Sequence, residues 1–200
     1  MSDVDAAVDA IRSGRLAVVP TDTVYGLAAS AYSPRPARLL YRVKGREEVK
    51  PTALVASDVD LLLECLPELR GRAALVVRAL LPGPYTLVLP NPAERFRWLC
   101  GSRPGTIGVR VPSLDGQAAE VLERVGAMVA TSANLSGGPD PRTIDDVPAE
   151  IRAAAAAVLD AGPLPGTPST VIDFTGAEPV VLRVGAVPAA EALRLVAPVL

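Results

Sequence analysis

Apolar residues follow two rhythms along this chain, and each change of rhythm marks an element boundary. Val4, Ala7, Val8 and Ile11 repeat at the helical period, so Asp3 to Ser13 reads as an amphipathic helix that Ser2 can cap and Gly14 can stop. Leu16-Ala17-Val18-Val19 is a short apolar run typical of a buried strand. It leads directly into Pro20 to Leu27, where small hydroxyls and a carboxylate interrupt apolar sequence without turn spacing. Helical spacing resumes near Pro34, with Leu39, Leu40 and Val43 on one side and Arg35, Arg38 and Arg42 on the other. That helix ends in the segment Lys44 to Lys50. Thr52 to Ala56 reads as a strand, Asp58 as the cap of a helix carrying Leu61, Leu62 and Leu63, and Gly71 to Leu80 as a helix closed by Pro82-Gly83-Pro84.

Further on, Tyr85 to Leu89 and Thr106 to Val111 read as consecutive strands, and Ser113 as the cap of a helix through Arg124. A strand over Ala127 to Ala130 opens into the polar loop Thr131 to Gly138, and proline punctuates Pro139 to Pro148. A helix and strand over Ala149 to Leu159, a tight loop over Gly162 to Pro168, strands over Ser169 to Phe174 and Pro179 to Val184, and a helix from Ala189 complete the pattern. Helices alternate with strands except where strands follow each other directly. That predicts an α/β (α+β) fold, a twisted mixed β-sheet flanked by helices, and not a purely parallel sheet. No linker or internal repeat divides the chain, so residues 1–200 are expected to form a single domain.

Composition narrows the chemistry. The 200 residues are 50% hydrophobic, enough for one core, but contain no histidine and only Cys65 and Cys100. Ser-His-Asp and Cys-His catalysis, His-rich zinc sites and CxxC pairs are therefore excluded. A formal net charge of -2 argues against a surface built to grip nucleic acid, while leaving room for a local basic groove. The acidic first residues and the lack of a membrane-length apolar run lead to the expectation of a cytoplasmic protein without a membrane partner.

Small polar groups gather at four junctions: Thr21-Asp22-Thr23, Thr131 to Asn134, Pro168-Ser169-Thr170, and Thr106 with Arg110. Caps and turns use the same residue types, but a sheet that sets such junctions side by side makes a polar concavity. Lys44 and Lys50 are the only lysines among twenty basic residues. Lys44 and Arg46 flank Gly45, a point charge beside a fork; the pattern suits phosphate or, equally, a solvated turn. GxxxxGK[ST] and GxGxxG are both absent, so any nucleotide would rely on arginines, a lysine and hydroxyl loops, with magnesium held largely by its phosphates.

Six segments, in order, resemble the YrdC-type threonylcarbamoyl-AMP synthases: Pro20 to Leu27, Lys44-Gly45-Arg46, Pro82 to Leu87, Gly108 to Pro112, Thr131 to Gly137, and Pro168 to Asp173. The resemblance implies a YrdC-like fold with a basic concave face. It also implies an enzyme, a nucleotidyltransferase, that makes threonylcarbamoyl-AMP and pyrophosphate from L-threonine, bicarbonate and ATP and supplies the tRNA threonylcarbamoyl transferase machinery. Carried over by motif, Thr23, Arg110, Ser132 and Ser169 would surround the threonine. Lys44, Arg46, Lys50, Thr106, Asn134, Arg142 and Arg183 would handle ATP, and Lys44, Arg46, Ser132 and Asn134 would form the catalytic tetrad. The chain departs from the family where Glu47 replaces a frequent proline, where Thr52 to Ser57 lacks a frequent histidine, and at Lys50 and Arg142. It stops at Leu200, which is expected to leave out the extra C-terminal domain of longer members. Two alternatives stay open at this point: an RNA-binding module without turnover, with weak RNA binding in the concavity, and a carbamoyl-phosphate-dependent transferase.

Overall fold

The computed structural model describes residues 2–199. Helix α1 (Asp3–Arg12) starts from a reciprocal cap in which the Ser2 hydroxyl accepts from Asp5 N at 3.1 Å and the Asp5 carboxylate accepts from Ser2 N at 3.1 Å. Strands β1 (Ala17–Val19) and β2 (Gly26–Ser30), helix α2 (Pro34–Lys44), strand β3 (Ala53–Ala56) and helices α3 (Val59–Cys65) and α4 (Arg72–Leu80) follow. Then come β4 (Tyr85–Pro90), β5 (Thr106–Arg110), α5 (Gly116–Val125), β6 (Ala127–Ser132), α6 (Ala149–Ala154), β7 (Ala157–Val158), β8 (Thr170–Asp173), β9 (Val180–Arg183) and α7 (Ala189–Val196). All the strands join one sheet in the order β7-β1-β2-β6-β3-β5-β4-β8-β9. It is mixed: β1/β7, β3/β5 and β4/β8 run parallel, and the other neighbours antiparallel.

The sheet's two faces are covered unequally. On one, α2, α4 and α7 bury Leu40, Val77 and Val196 against Val18, Leu54, Leu87, Val109 and Ile172. On the other, α1 and α5 pack Val8, Ile11, Val121 and Leu122 over Ala17, Val19, Ala28 and Met128 at the β1-β2-β6 end, the cover reaching as far as Val55 of β3. Side chains alternate along a strand, so residues next to those core positions face the uncovered part of that second face. Thr106, Gly108 and Arg110 of β5 do so, as do Thr86 and Val88 of β4, and Ala53 and Val55 of β3.

Three local expectations change. β2 is a strand, although Gly26 to Ser30 has no alternation to announce it: Gly26, Leu27, Ala28 and Ala29 are all buried, because both faces are covered there. Thr131 and Ser132 belong to β6, paired to Leu27 and Gly26, and are not loop residues. Ser113 does not cap α5; Asp115 occupies that position, and the Ser113 amide instead donates to Asp22 Oδ2 at 3.2 Å.

Candidate active site

The uncovered stretch of sheet forms the floor of a cavity of about 340 Å³, within the range of small-molecule sites. Its floor is apolar, from Ala53, Val55, Val88, Gly108, Ala130 and Val171, and its walls carry Arg46, Arg103, Arg110 and Arg183. No carboxylate lines it among the described residues. A protein of net charge -2 has thus gathered four guanidinium groups around one concavity, a field suited to anions.

Lys44 and Arg46 are sent different ways by Gly45, whose φ of 62° ends α2 in the left-handed conformation that glycine adopts without strain. Lys44 is 2% exposed. Its Nζ donates to Ser132 O at 2.6 Å, Asn134 O at 2.7 Å and Asn134 Oδ1, which matches the three hydrogens of an ammonium. Asn134 Oδ1 also accepts from the Ser132 hydroxyl at 2.8 Å, and Asn134 Nδ2 donates to Gly138 O. Burial, then the nearby Arg46 charge, pulls the Lys44 pKa down from 10.5 to about 8. Arg46 instead reaches the cavity: Nη2 donates to Pro51 O at 2.7 Å, while Nε is buried without a partner. The Thr52 hydroxyl, also on the cavity wall, is a second buried polar atom without a partner.

Across the cavity, Arg110 Nη2 bonds to Asp22 Oδ1 and donates to Thr23 Oγ1 at 2.9 Å. The Thr21 hydroxyl gives its hydrogen to Val24 O, so Thr23 is the donor in the 3.0 Å contact between the two threonine hydroxyls. Burial raises the Asp22 pKa and the facing Arg110 holds it back. Near β8, Arg183 donates to Ser169 O at 2.8 Å and to the Ser169 hydroxyl at 3.2 Å, and that hydroxyl lies 2.8 Å from Thr86 Oγ1. Thr106 gives its hydroxyl hydrogen to Arg103 O at 3.1 Å.

Of the residues expected at the site, Thr23, Arg46, Thr106, Arg110, Ser132, Ser169 and Arg183 line one cavity, with Lys44 and Asn134 directly behind Ser132. Lys50 and Arg142 lie outside its lining. Lys50 is exposed beside Glu47 at 3.6 Å, and Arg142 lies across Gly166, its Nε 3.4 Å from Leu164 O. The cavity adds Thr52, Thr86 and Arg103, to which the sequence assigned no role. Alternation along β4 would have pointed to Thr86. Arg103 carried no local signal, since its partner Asp173 is 70 positions away.

A mixed sheet, an arginine-lined cavity and hydroxyl loops at strand ends define an α/β protein built to hold anionic small molecules. The Sua5/YciO/YrdC family model, described as telomere recombination, matches residues 9–185, and the chain belongs to this family. A Mycobacterium tuberculosis relative is 37% identical over 183 residues, covering 91% of this chain and 83% of the relative. The threonylcarbamoyl-AMP synthase of Pyrococcus abyssi is 33% identical over 189 residues, covering 93% of this chain and 55% of the relative. Among solved structures, Pyrococcus abyssi Sua5 complexed with L-threonine superposes with a TM-score of 0.85 at 32% identity, covering 98% of this chain and 58% of that one. Escherichia coli YciO superposes at 0.81 with 27% identity, covering 93% and 90%. This chain therefore spans a little over half the length of the archaeal protein. No helix among the described residues is long and apolar enough to cross a membrane.

Proposed function

We propose that this chain is a threonylcarbamoyl-AMP synthase. The observation that carries this is the cavity itself: four arginines, no carboxylate in the lining among the described residues, and hydroxyls at every rim, in a chain that superposes on a threonine-bound relative. The threonine amine adds to bicarbonate-derived carbon dioxide to give a carbamate. A carbamate oxygen then attacks the α-phosphorus of ATP, the bond to the bridging oxygen breaks, and pyrophosphate leaves. Two anions have to meet, so charge neutralisation and alignment are the main burdens, and neither needs histidine.

Arg110 and Thr23 would receive the threonine, together with Ser169 and Thr86. Arg46 and Arg183 would take the phosphates, Arg46 with an Nε that still lacks an acceptor. Ser132 is held on the cavity wall by the Lys44-Asn134 knot, where it would align carbamate with α-phosphate. No group of three or more His, Cys, Asp or Glu suited to a metal occurs among the described residues, so magnesium would ride on the triphosphate oxygens and the chain would contribute arginines. The product would pass to the enzyme that modifies tRNA.

The test is pyrophosphate release from ATP with L-threonine and bicarbonate supplied singly and together. Release that requires both is expected. Release that requires carbamoyl phosphate would assign a different transferase, and none at all would leave a binding module.

A further inference from the structure

Arg103 stands at the Thr106 end of the cavity, and the loop that carries it is tied to the segment that carries Arg46. Ser102 N donates to Val49 O at 3.1 Å, and Thr52 N to Leu99 O at 2.9 Å. Between these bonds Gly101, with a φ of 60°, leaves no room for a Cβ, which would strike Val49 O and Pro51 N. Arg46 Nη2 rests on the carbonyl of the same Pro51. On the far side of the loop, Thr106 N donates to Arg103 O at 2.9 Å and Asn91 Nδ2 to Pro104 O at 3.2 Å. The backbone under Arg103 is therefore fixed beside the Arg46 segment, while its side chain is 59% exposed.

One contact holds that side chain. Nη1 donates to Asp173 Oδ2 at 3.3 Å, and the other N–H groups of the fork have no partner among the described residues. Asp173 is the fixed member of the pair, 10% exposed, with Oδ1 accepting from Thr175 N at 2.8 Å and from the Thr175 hydroxyl. It follows Val171 by two positions on β8, so it shares the face that floors the cavity but lies outside the lining. A long, singly bonded pair this exposed is weak, whereas a phosphate offers a guanidinium two parallel bonds.

We propose that Arg103 is a further phosphate-binding residue beside Arg46, held on Asp173 until a polyphosphate takes it over. Asp173 is then a positioning residue that competes with the ligand, and apparent affinity is reduced by the share of molecules in which Arg103 is still engaged. This rests on the synthase reading above, in which the polyphosphate is that of ATP.

The test is titration calorimetry of the whole chain with tripolyphosphate, which needs no turnover. Arg103→Ala should raise the Kd about ten- to hundredfold, as for loss of a hydrogen bond to a charged group. Asp173→Asn keeps an acceptor for Thr175 but removes the charge, and should lower the Kd about two- to fivefold, the range that a surface ion pair allows. A merely structural pair would weaken binding from either side, so the opposite signs are the signature. In the double variant the gain should vanish and the Arg103→Ala value should return. A gain that persists there is relief of plain repulsion and overturns the proposal, as does a Kd for Arg103→Ala less than fivefold above that of the unaltered protein. Arg103→Ala leaves Asp173 its Thr175 partners, and its result decides alone if Asp173→Asn does not fold. Tripolyphosphate binding of this pattern without threonine-dependent pyrophosphate release would be a failure of the synthase reading and not of this one.

Discussion

Lys44 and Arg46 flank a single glycine, yet they sit in opposite environments. The ammonium is enclosed and has all three hydrogens engaged by the β6 end and the loop after it. The guanidinium faces the cavity with a donor unspent. Sequence alone suggests two cations reaching one anion. The folded chain assigns them different work: Lys44 acts on the protein, fixing Ser132 and Asn134, while Arg46 is left to act on the ligand. A cation with no donor to spare builds a site, and one with an orphan donor serves it.

The strongest way to break this contrast is at Arg46. Arg46→Ala should lower kcat/KM by about 10² to 10³, the usual loss for one preorganised donor, with an unchanged denaturant midpoint. Lys44→Met should differ in kind. It removes the donor to Ser132 O, Asn134 O and Asn134 Oδ1, and an oxygen such as Asn134 O left buried and unpaired costs about 1–3 kcal/mol, so the midpoint should fall together with activity. Equal midpoints for the two variants, measured by urea unfolding, would erase the distinction.

A gentler probe is pH. The native Lys44 pKa of about 8 lies below its ordinary value of 10.5, so its burial penalty is present in full below pH 8 and is relieved as pH rises from 8 towards 10.5. The Lys44 contribution to stability therefore increases over that window. Activity should move the other way, since a neutral amine has two hydrogens for three acceptors and loosens Ser132 and Asn134. An alkaline limb in kcat near pH 8, without a matching drop in urea midpoint, is the expected pair of results. In a chain without histidine, no imidazole is available to supply that limb.

Elements with a local rhythm were legible in the sequence. The Ser2 cap and the 3.6-residue period of Val4, Ala7, Val8 and Ile11 mark α1, and the bounds found differ by one residue. β2 was not legible, because small residues buried on both faces produce neither rhythm. Within the site, Arg46, Arg110 and Arg183 could be carried over by motif, but their inequality could not. It depends on Asp22, which reaches Arg110 across 88 positions through sheet neighbours fixed only on folding. The direction taken by Lys44 is non-local in the same way: Gly45 signals a turn, but nothing nearby says that Asn134 waits at its end.

The smallest expected effects test that last point from outside the cavity. Lys50 and Arg142 share with Arg46 a motif-based expectation of ATP contact, but not its placement. Lys50 is 52% exposed against Glu47, an i,i+3 surface pair of the kind that contributes about 0–1 kcal/mol. Arg142 has its guanidinium beside Leu164 O, outside the cavity lining. Each single alanine variant should change the ATP KM by less than about threefold, the residual expected of a distant, solvent-screened charge. A tenfold rise for either would mean that its side chain swings into the cavity when nucleotide binds. The boundary between cations that build, cations that bind and cations that merely surround the site would then have to be drawn on the ligand-bound chain.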